Sequence, residues 1–350
     1  MAEQALSVSD SPQSPPGARA DDTRRQGAAL AAARVFAPLD VPETRDGALR
    51  KVGVELEFGG LGEADVAKAV QGRFGGKIVL DGLVWCVETD EGVFEIYLDT
   101  ALGKDASVGS LTAKARDLGR SVVPLELVAP PLAPDKLGLL QAVATDLRRL
   151  GAEGTEAGLL RGYGMHLNIA ARSMQARDII PVLRAYTFLE DWLRGAETID
   201  LSRRMLPFVD PYPRGFVTHM AQDPPATMEG LATLYLRHNP TRNRGLDLLP
   251  ILATWNEAML RRMLGNEKIG ARPAFHYRLP DCRIDEQDWT IALEWNRWRL
   301  LEKVAAAPDV LDALAAGWVR YFEQWTTVRG DWRAWSGALL AEHGFREGRE

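Results

Sequence analysis

The chain has 350 residues, of which 46% are hydrophobic, and a formal net charge of -6. This length suits one large domain or two modest ones, and the apolar fraction allows a sizeable core. The acidic balance argues against a general nucleic-acid-binding protein, which would carry a basic excess. Cys86 and Cys282 lie far apart without a metal-ligand spacing, so we expect neither a disulfide framework nor a zinc knuckle. Since the sequence shows neither a long apolar span nor a signal pattern, we expect a cytoplasmic protein without membrane partners.

The order of hydrophobic and turn residues predicts alternating strands and helices. Residues 1–34 are rich in small and polar residues and are expected to form a disordered tail. Apolar and acidic residues alternate over 52–58, which predicts a strand, and a helix is expected over 63–74. The later predicted strands are 77–80, 83–88, 92–98, 122–129, 163–170 and 274–279, and the later predicted helices are 135–150, 177–194, 226–238, 247–264, 286–305 and 308–327. Asp81-Gly82 and Asp90-Glu91-Gly92 are turn residues that favour hairpins between the three strands from 77 to 98.

Strands that are separated by helices and hairpins predict an α+β fold with a mainly antiparallel sheet. We expect a folded domain over residues 35–285. The mostly helical part over 286–350 is expected to be an extension that packs on this domain.

Two acidic residues lie on one face of the first predicted strand. Glu55 and Glu57 alternate with Val54, Leu56 and Phe58, so their Cα atoms would be about 6.6 Å apart on the same face. Neighbouring carboxylates repel each other, and a divalent cation such as Mg²⁺ or Mn²⁺ would relieve that repulsion. The alternative interpretation is a solvated strand face.

Other predicted strands also carry polar residues on one face only. These residues are Glu126 in 123–131, His166 and Asn168 in 164–169, and His276 and Arg278 in 274–279. Such side chains bind metals and phosphates, whereas an ordinary solvated face would carry more Lys, Thr and Ser. A curved sheet would bring these faces together in one trough, although a solvated face explains each of them singly.

Two further segments offer polar candidates. Asp90 is an oxygen donor in a predicted hairpin turn, where Asp is also common for local reasons. Arg242 and Arg244 lie in the basic segment 237–244, and their guanidinium groups suit phosphate or carboxylate recognition. The alternative for that segment is a solvated loop. The sequence contains no Walker-type phosphate loop and no Gly-x-Ser-x-Gly elbow.

Three motifs in a fixed order resemble the amidoligase family of the carboxylate–amine ligase superfamily. They are VGVELEF at 52–58, ELVAPP at 126–131 and GYGMHLN at 162–168. The resemblance is closest over 50–170 and weaker over 235–280. It implies a fold like that of glutamine synthetase and glutamate–cysteine ligase, in which a curved antiparallel sheet surrounds an ATP and divalent-metal site.

The resemblance also implies roles for individual residues. The implied metal ligands are Glu55, Glu57, Glu126 and His166, and the implied nucleotide- or phosphate-binding residues are Arg242, Arg244, His276 and Arg278. Arg278 would stabilise the transferring phosphoryl group, and Asp90 is the candidate for the base that deprotonates the amine. His276 stands where the late Glu-x-Arg element of glutamine synthetases has Glu, and Asn168 stands where a second His often appears.

The chemistry that the resemblance implies is ATP-dependent ligation with Mg²⁺ or Mn²⁺. ATP would phosphorylate a small-molecule or peptide carboxylate to an acyl phosphate, and an amine would displace the phosphate to leave an amide. One alternative is a small-molecule kinase of the guanidino type on the same fold. Another is a catalytically silent protein that binds a ligand or partner. The oligomeric state stays open, with a homo-oligomer among the alternatives.

Overall fold

The computed structural model describes residues 34–98, 123–155, 162–196, 209–265, 269–322 and 329–345. The predicted tail 1–34 lies outside the described residues except for Arg34. Within the described residues, eight strands form a single open antiparallel sheet that is accompanied by nine α-helices. The mixed architecture with an antiparallel sheet is therefore confirmed, whereas the boundary between 285 and 286 stays a prediction.

The bounds of the elements are as follows. The strands are β1 (Val52–Phe58), β2 (Lys77–Asp81), β3 (Val84–Thr89), β4 (Gly92–Leu98), β5 (Leu125–Val128), β6 (Met165–Ala170), β7 (Leu246–Asp247) and β8 (Ala274–Tyr277). The helices are α1 (Glu63–Phe74), α2 (Leu137–Leu150), α3 (Ala176–Ala196), α4 (Arg214–Gln222), α5 (Met228–His238), α6 (Leu249–Leu264), α7 (Ile291–Ala305), α8 (Pro308–Phe322) and α9 (Arg329–Glu342). A 3₁₀ turn over Pro134–Lys136 leads into α2.

The sheet has the strand order β2-β3-β4-β5-β1-β6-β8-β7, and each neighbouring pair is antiparallel. Strand β1 is central, because it pairs with β5 on one side and β6 on the other. The two predicted hairpins are present as β2-β3 and β3-β4. Gly82 has a φ of 60° in the first of these turns, a conformation that glycine adopts without steric strain.

The apolar face of the sheet forms the core. Val54, Leu56 and Phe58 of β1 are at most 1% exposed, as their alternation predicts. Helix α1 covers this face beside the hairpins, where the ring centroids of Phe74 and Phe94 are 4.7 Å apart. Because successive side chains of a strand point to opposite faces, the acidic residues of β1 project from the other face.

Helix α7 packs beneath β8 on the same apolar face. The buried Trp298 ring lies 5.4 Å from the ring of Phe275 and 5.6 Å from that of Tyr277, measured between centroids. Its indole N–H donates a hydrogen bond of 2.8 Å to Glu302. A residue that follows the predicted domain boundary thus supports a strand of the sheet.

Most predicted elements are present with ends that differ by a few residues. Strand β1 and helix α1 have the predicted bounds. Strand β8 ends at Tyr277, so Arg278 follows the strand, and α8 ends at Phe322, with 323–328 outside the described residues. Helices α4 and α9 and the short strand β7 were not predicted. In the part of the chain that the structure describes, no helix is long and apolar enough to cross a membrane.

Candidate metal centre

Three neighbouring strands bring Glu55, His166 and His276 together on the polar face of the sheet. Glu55 of β1 is the register partner of His166 of β6, and β6 pairs in turn with β8, which carries His276. Each residue offers one ligand atom, and these atoms lie within 4.8 Å of one another. All three side chains are buried. The group can therefore hold a metal ion, and we call it the Glu–His–His group.

Glu55 makes most of the polar contacts within the group. Its Oε2 lies 2.8 Å from His166 Nδ1 and 4.0 Å from His276 Nε2. Its Oε1 accepts a hydrogen bond of 2.8 Å from Asn168 and lies 3.3 Å from a guanidinium nitrogen of Arg272. Burial alone would raise the pKa of Glu55, but the His166 hydrogen bond and the neighbouring His166, His276 and Arg272 side chains hold that pKa well below its usual value. Glu55 is therefore a carboxylate, the form that binds metals.

His276 is oriented by a second carboxylate, that of Asp247 on β7. Its Nδ1 lies 3.3 Å from Asp247 Oδ2, and Asp247 Oδ1 accepts a hydrogen bond of 3.0 Å from the backbone of Leu249. Burial lowers the pKa of His276 to about 4, against the opposing effect of the Asp247 and Glu55 carboxylates. The imidazole is therefore neutral near pH 7. Because Asp247 accepts the proton on Nδ1, we assign the lone pair to Nε2.

Two predicted metal ligands, Glu57 and Glu126, lie next to the group and are register partners of each other. Glu57 Oε1 is 3.7 Å from His166 Nε2, and Glu57 Oε2 accepts a hydrogen bond of 2.7 Å from the backbone of Gly164. Tyr97 faces Glu126 and donates a hydrogen bond to it. Burial, followed by the charge of Glu126 and this hydrogen bond, raises the pKa of Tyr97 above its usual value. The two glutamates thus extend the polar face beyond the Glu–His–His group.

The predicted phosphate-binding arginines lie near the end of β8. Arg278 donates a hydrogen bond to the backbone carbonyl of Arg242. Arg244 is buried and donates hydrogen bonds of 2.8 Å to Asn239 Oδ1 and 3.2 Å to the carbonyl of Pro211. The guanidinium of Arg244 therefore holds its own loop together. The nucleotide-binding roles of the three arginines stay predictions.

Asp90 lies in the turn between β3 and β4, just beyond the paired residues Thr89 and Gly92. Strand β5 separates β4 from β1, so this turn lies outside the Glu–His–His group. The role of Asp90 as the base stays a prediction.

Three residues of the polar face were not identified from the sequence. Tyr97 and Glu95 alternate with apolar residues on β4. The alternation that identified Glu55 could therefore also have identified Tyr97. Asp247 lies in a strand of two residues, which is too short to show a period. Arg272 lies in the loop before β8, where no periodicity applies.

Carboxylate and imidazole side chains are common ligands of divalent metal ions in proteins. The family model described as "Putative amidoligase enzyme" matches residues 48–300, more than half of the chain, and this span includes the whole Glu–His–His group. The chain therefore belongs to the amidoligase family, and it is a ligase-type enzyme, as the motif resemblance predicted. No curated protein and no solved structure matches the chain.

Proposed function

We propose that the protein is an ATP-dependent carboxylate–amine ligase with a glutamine-synthetase-like fold. It would form an amide or peptide-like bond through an acyl phosphate, with divalent cations as cofactors. The observation that carries the proposal is the Glu–His–His group on the polar face of the antiparallel sheet, inside the span that matches the family.

The residues of the group fit a divalent cation. Ligand atoms that are about 2.1 Å from a common ion lie about 3.4 Å from one another in a tetrahedral shell. Glu55 Oε2 is 2.8 Å from His166 Nδ1 and 4.0 Å from His276 Nε2, so these two distances lie on either side of that value. The ion would take the place of the proton that His166 Nδ1 shares with Glu55. A bound cation would neutralise charge on the phosphoryl group during transfer.

Arg272 provides a positive charge beside these ligands. Its guanidinium contacts Glu55, yet its side chain is 37% exposed, so part of it faces the solvent above the polar face. Arginine binds planar anions such as carboxylates and phosphates well. Arg272 would orient an anionic substrate, and Arg242 and Arg278, beyond the other end of β8, would supply further positive charge. Phosphoryl transfer depends mainly on such positioning and charge neutralisation.

Replacement of Glu55 tests the proposal. The purified protein would be screened for phosphate release from ATP with amino acids and small peptides as carboxylate and amine substrates. Glu55→Ala should reduce this release to background, because the group loses its only carboxylate. Glu257→Ala is the matched control, since Glu257 is exposed on α6 and should leave the release unchanged. Full activity of Glu55→Ala in a substrate pair that the wild-type protein uses would refute the proposal.

The products distinguish the ligase from its alternatives. Amide and phosphate in equal amounts support the ligase, whereas a stable phosphorylated compound indicates a small-molecule kinase. Failure of the protein to bind Mg²⁺–ATP in calorimetry would instead indicate a catalytically silent binding protein.

A further inference from the structure

Two of the three donor atoms in the Glu–His–His group are imidazole nitrogens. Mg²⁺ prefers oxygen ligands and keeps several waters, whereas imidazole suits ions such as Zn²⁺, Fe²⁺ and Ni²⁺. We propose that Glu55, His166 and His276 bind a first-row transition ion of the Zn²⁺ type in preference to Mg²⁺. This inference rests on the proposed function for the role of the site, but it concerns which ion the site selects.

The contact between Asp247 and His276 is the first support. Asp247 is fully buried, and its two carboxylate oxygens face His276 Nδ1 and the backbone N–H of Leu249. Metal-binding histidines commonly direct their second nitrogen to a carboxylate, which fixes the ring and increases its basicity. Here the same arrangement directs His276 Nε2 toward Glu55.

The second support is the environment of His276 Nε2. This atom is buried and has no hydrogen-bond partner in the described parts of the chain. Glu55 Oε2 lies 4.0 Å from it, which is beyond hydrogen-bond distance. A buried polar atom without a partner is unfavourable. A cation between the two atoms would satisfy both.

The neighbouring glutamates lie beside one imidazole rather than two, since His166 Nε2 is 3.7 Å from Glu57 Oε1. Glu57 and Glu126 are register partners beside the group and offer the oxygen ligands that Mg²⁺ prefers. Binding of Mg²⁺ with a nucleotide therefore does not require His276. Binding of Zn²⁺ should depend on His276, whereas binding of Mg²⁺ should not, and this difference distinguishes the two ions.

Calorimetry with the full-length protein, after removal of bound metal by a chelator, tests the selectivity. ZnCl₂ and MgCl₂ would be titrated separately into wild type, His276→Gln and Asp247→Asn. We expect Asp247→Asn to weaken Zn²⁺ binding about 10- to 100-fold, the usual effect of losing such an outer partner. His276→Gln should weaken Zn²⁺ binding at least as much, and both variants should leave Mg²⁺ binding unchanged.

His219→Gln, a change to a half-exposed histidine on α4, is the matched control and should change neither Zn²⁺ nor Mg²⁺ binding. Zn²⁺ affinity that is unaffected by His276→Gln, or Zn²⁺ and Mg²⁺ affinities that fall together, would overturn the proposal.

A measurement on the wild-type protein tests the same proposal even if the variants fail to fold. Pulsed electron paramagnetic resonance of the protein with one equivalent of Cu²⁺ should show coupling to two imidazole nitrogens. Only a large excess of Zn²⁺ should displace this signal, because Cu²⁺ binds a given nitrogen and oxygen site more tightly than Zn²⁺ does. A spectrum without imidazole coupling would overturn the proposal. Because neither measurement involves turnover, histidine-dependent Zn²⁺ binding without ligase activity would refute the proposed function alone. Ligase activity in a protein that binds Mg²⁺ only would refute this inference alone.

Discussion

Replacement of Trp298 by alanine should strongly destabilise the fold, because this side chain fills the space beneath β8. Trp298 is fully buried, and its ring packs on Phe275 and Tyr277 at centroid distances of 5.4 and 5.6 Å. Truncation of a buried aromatic residue to alanine typically lowers the free energy of unfolding by about 3–5 kcal/mol, through lost burial and the remaining cavity. The lost hydrogen bond to Glu302 falls within that range.

Urea denaturation followed by circular dichroism measures this loss. Trp335→Ala is the matched control, since Trp335 is 37% exposed and stacks on Trp332 at 5.1 Å, and it should cost less than half as much. A loss below about 1 kcal/mol for Trp298→Ala would refute the reasoning, because it would mean that the helix and the strand are not packed as described.

The remaining predictions concern two ion pairs. Arg50 is buried and donates hydrogen bonds of 2.9 and 2.5 Å to Glu302. Arg50→Ala should lower the free energy of unfolding by about 3–5 kcal/mol, because it removes the positive charge that is paired with the Glu302 carboxylate. A double-mutant cycle with Glu302→Gln checks this, and purely additive effects would contradict it. Burial tends to raise the pKa of Asp178, but hydrogen bonds from Arg45 and Ser173 lower this pKa overall. The ionised Asp178 therefore stabilises the folded protein at pH values above the unfolded pKa of about 3.9. This stabilisation is lost as the pH falls through the lower pKa of the folded state. The destabilisation caused by Asp178→Asn at pH 7 should therefore shrink near pH 3 in urea denaturation, and an equal effect at both pH values would contradict this.

The sequence identified the faces of the strands but not their order in the sheet. Alternation assigned Glu55, His166 and His276 to polar faces, and the structure places them there. Their meeting depends on the pairing of β1 with β6 and of β6 with β8, which are contacts between distant parts of the chain. Periodicity is a local property, so it could not show which polar residues would be neighbours.

The residues that orient the site were harder to find for a related reason. Asp247 acts through β7, and that strand exists only because it pairs with β8. Arg244 shows the opposite case, because a guanidinium that suggested phosphate binding holds its own loop through Asn239. A residue type indicates what a side chain can bind, whereas tertiary contacts decide which of these partners it reaches.

The geometry of the Glu–His–His group depends on the apolar face of the sheet, which is opposite the face that carries the three metal-binding side chains. His276 lies between Phe275 and Tyr277, whose side chains point to the opposite face and are packed in the core. Since core side chains are close-packed, fixing those two rings also fixes the backbone that presents His276. Glu55 and His166 are held in the same way by the buried neighbours of each strand. Changes in the core beneath β8 should therefore alter ion binding without touching a ligand, and this connects the stability of the sheet to the chemistry of its polar face.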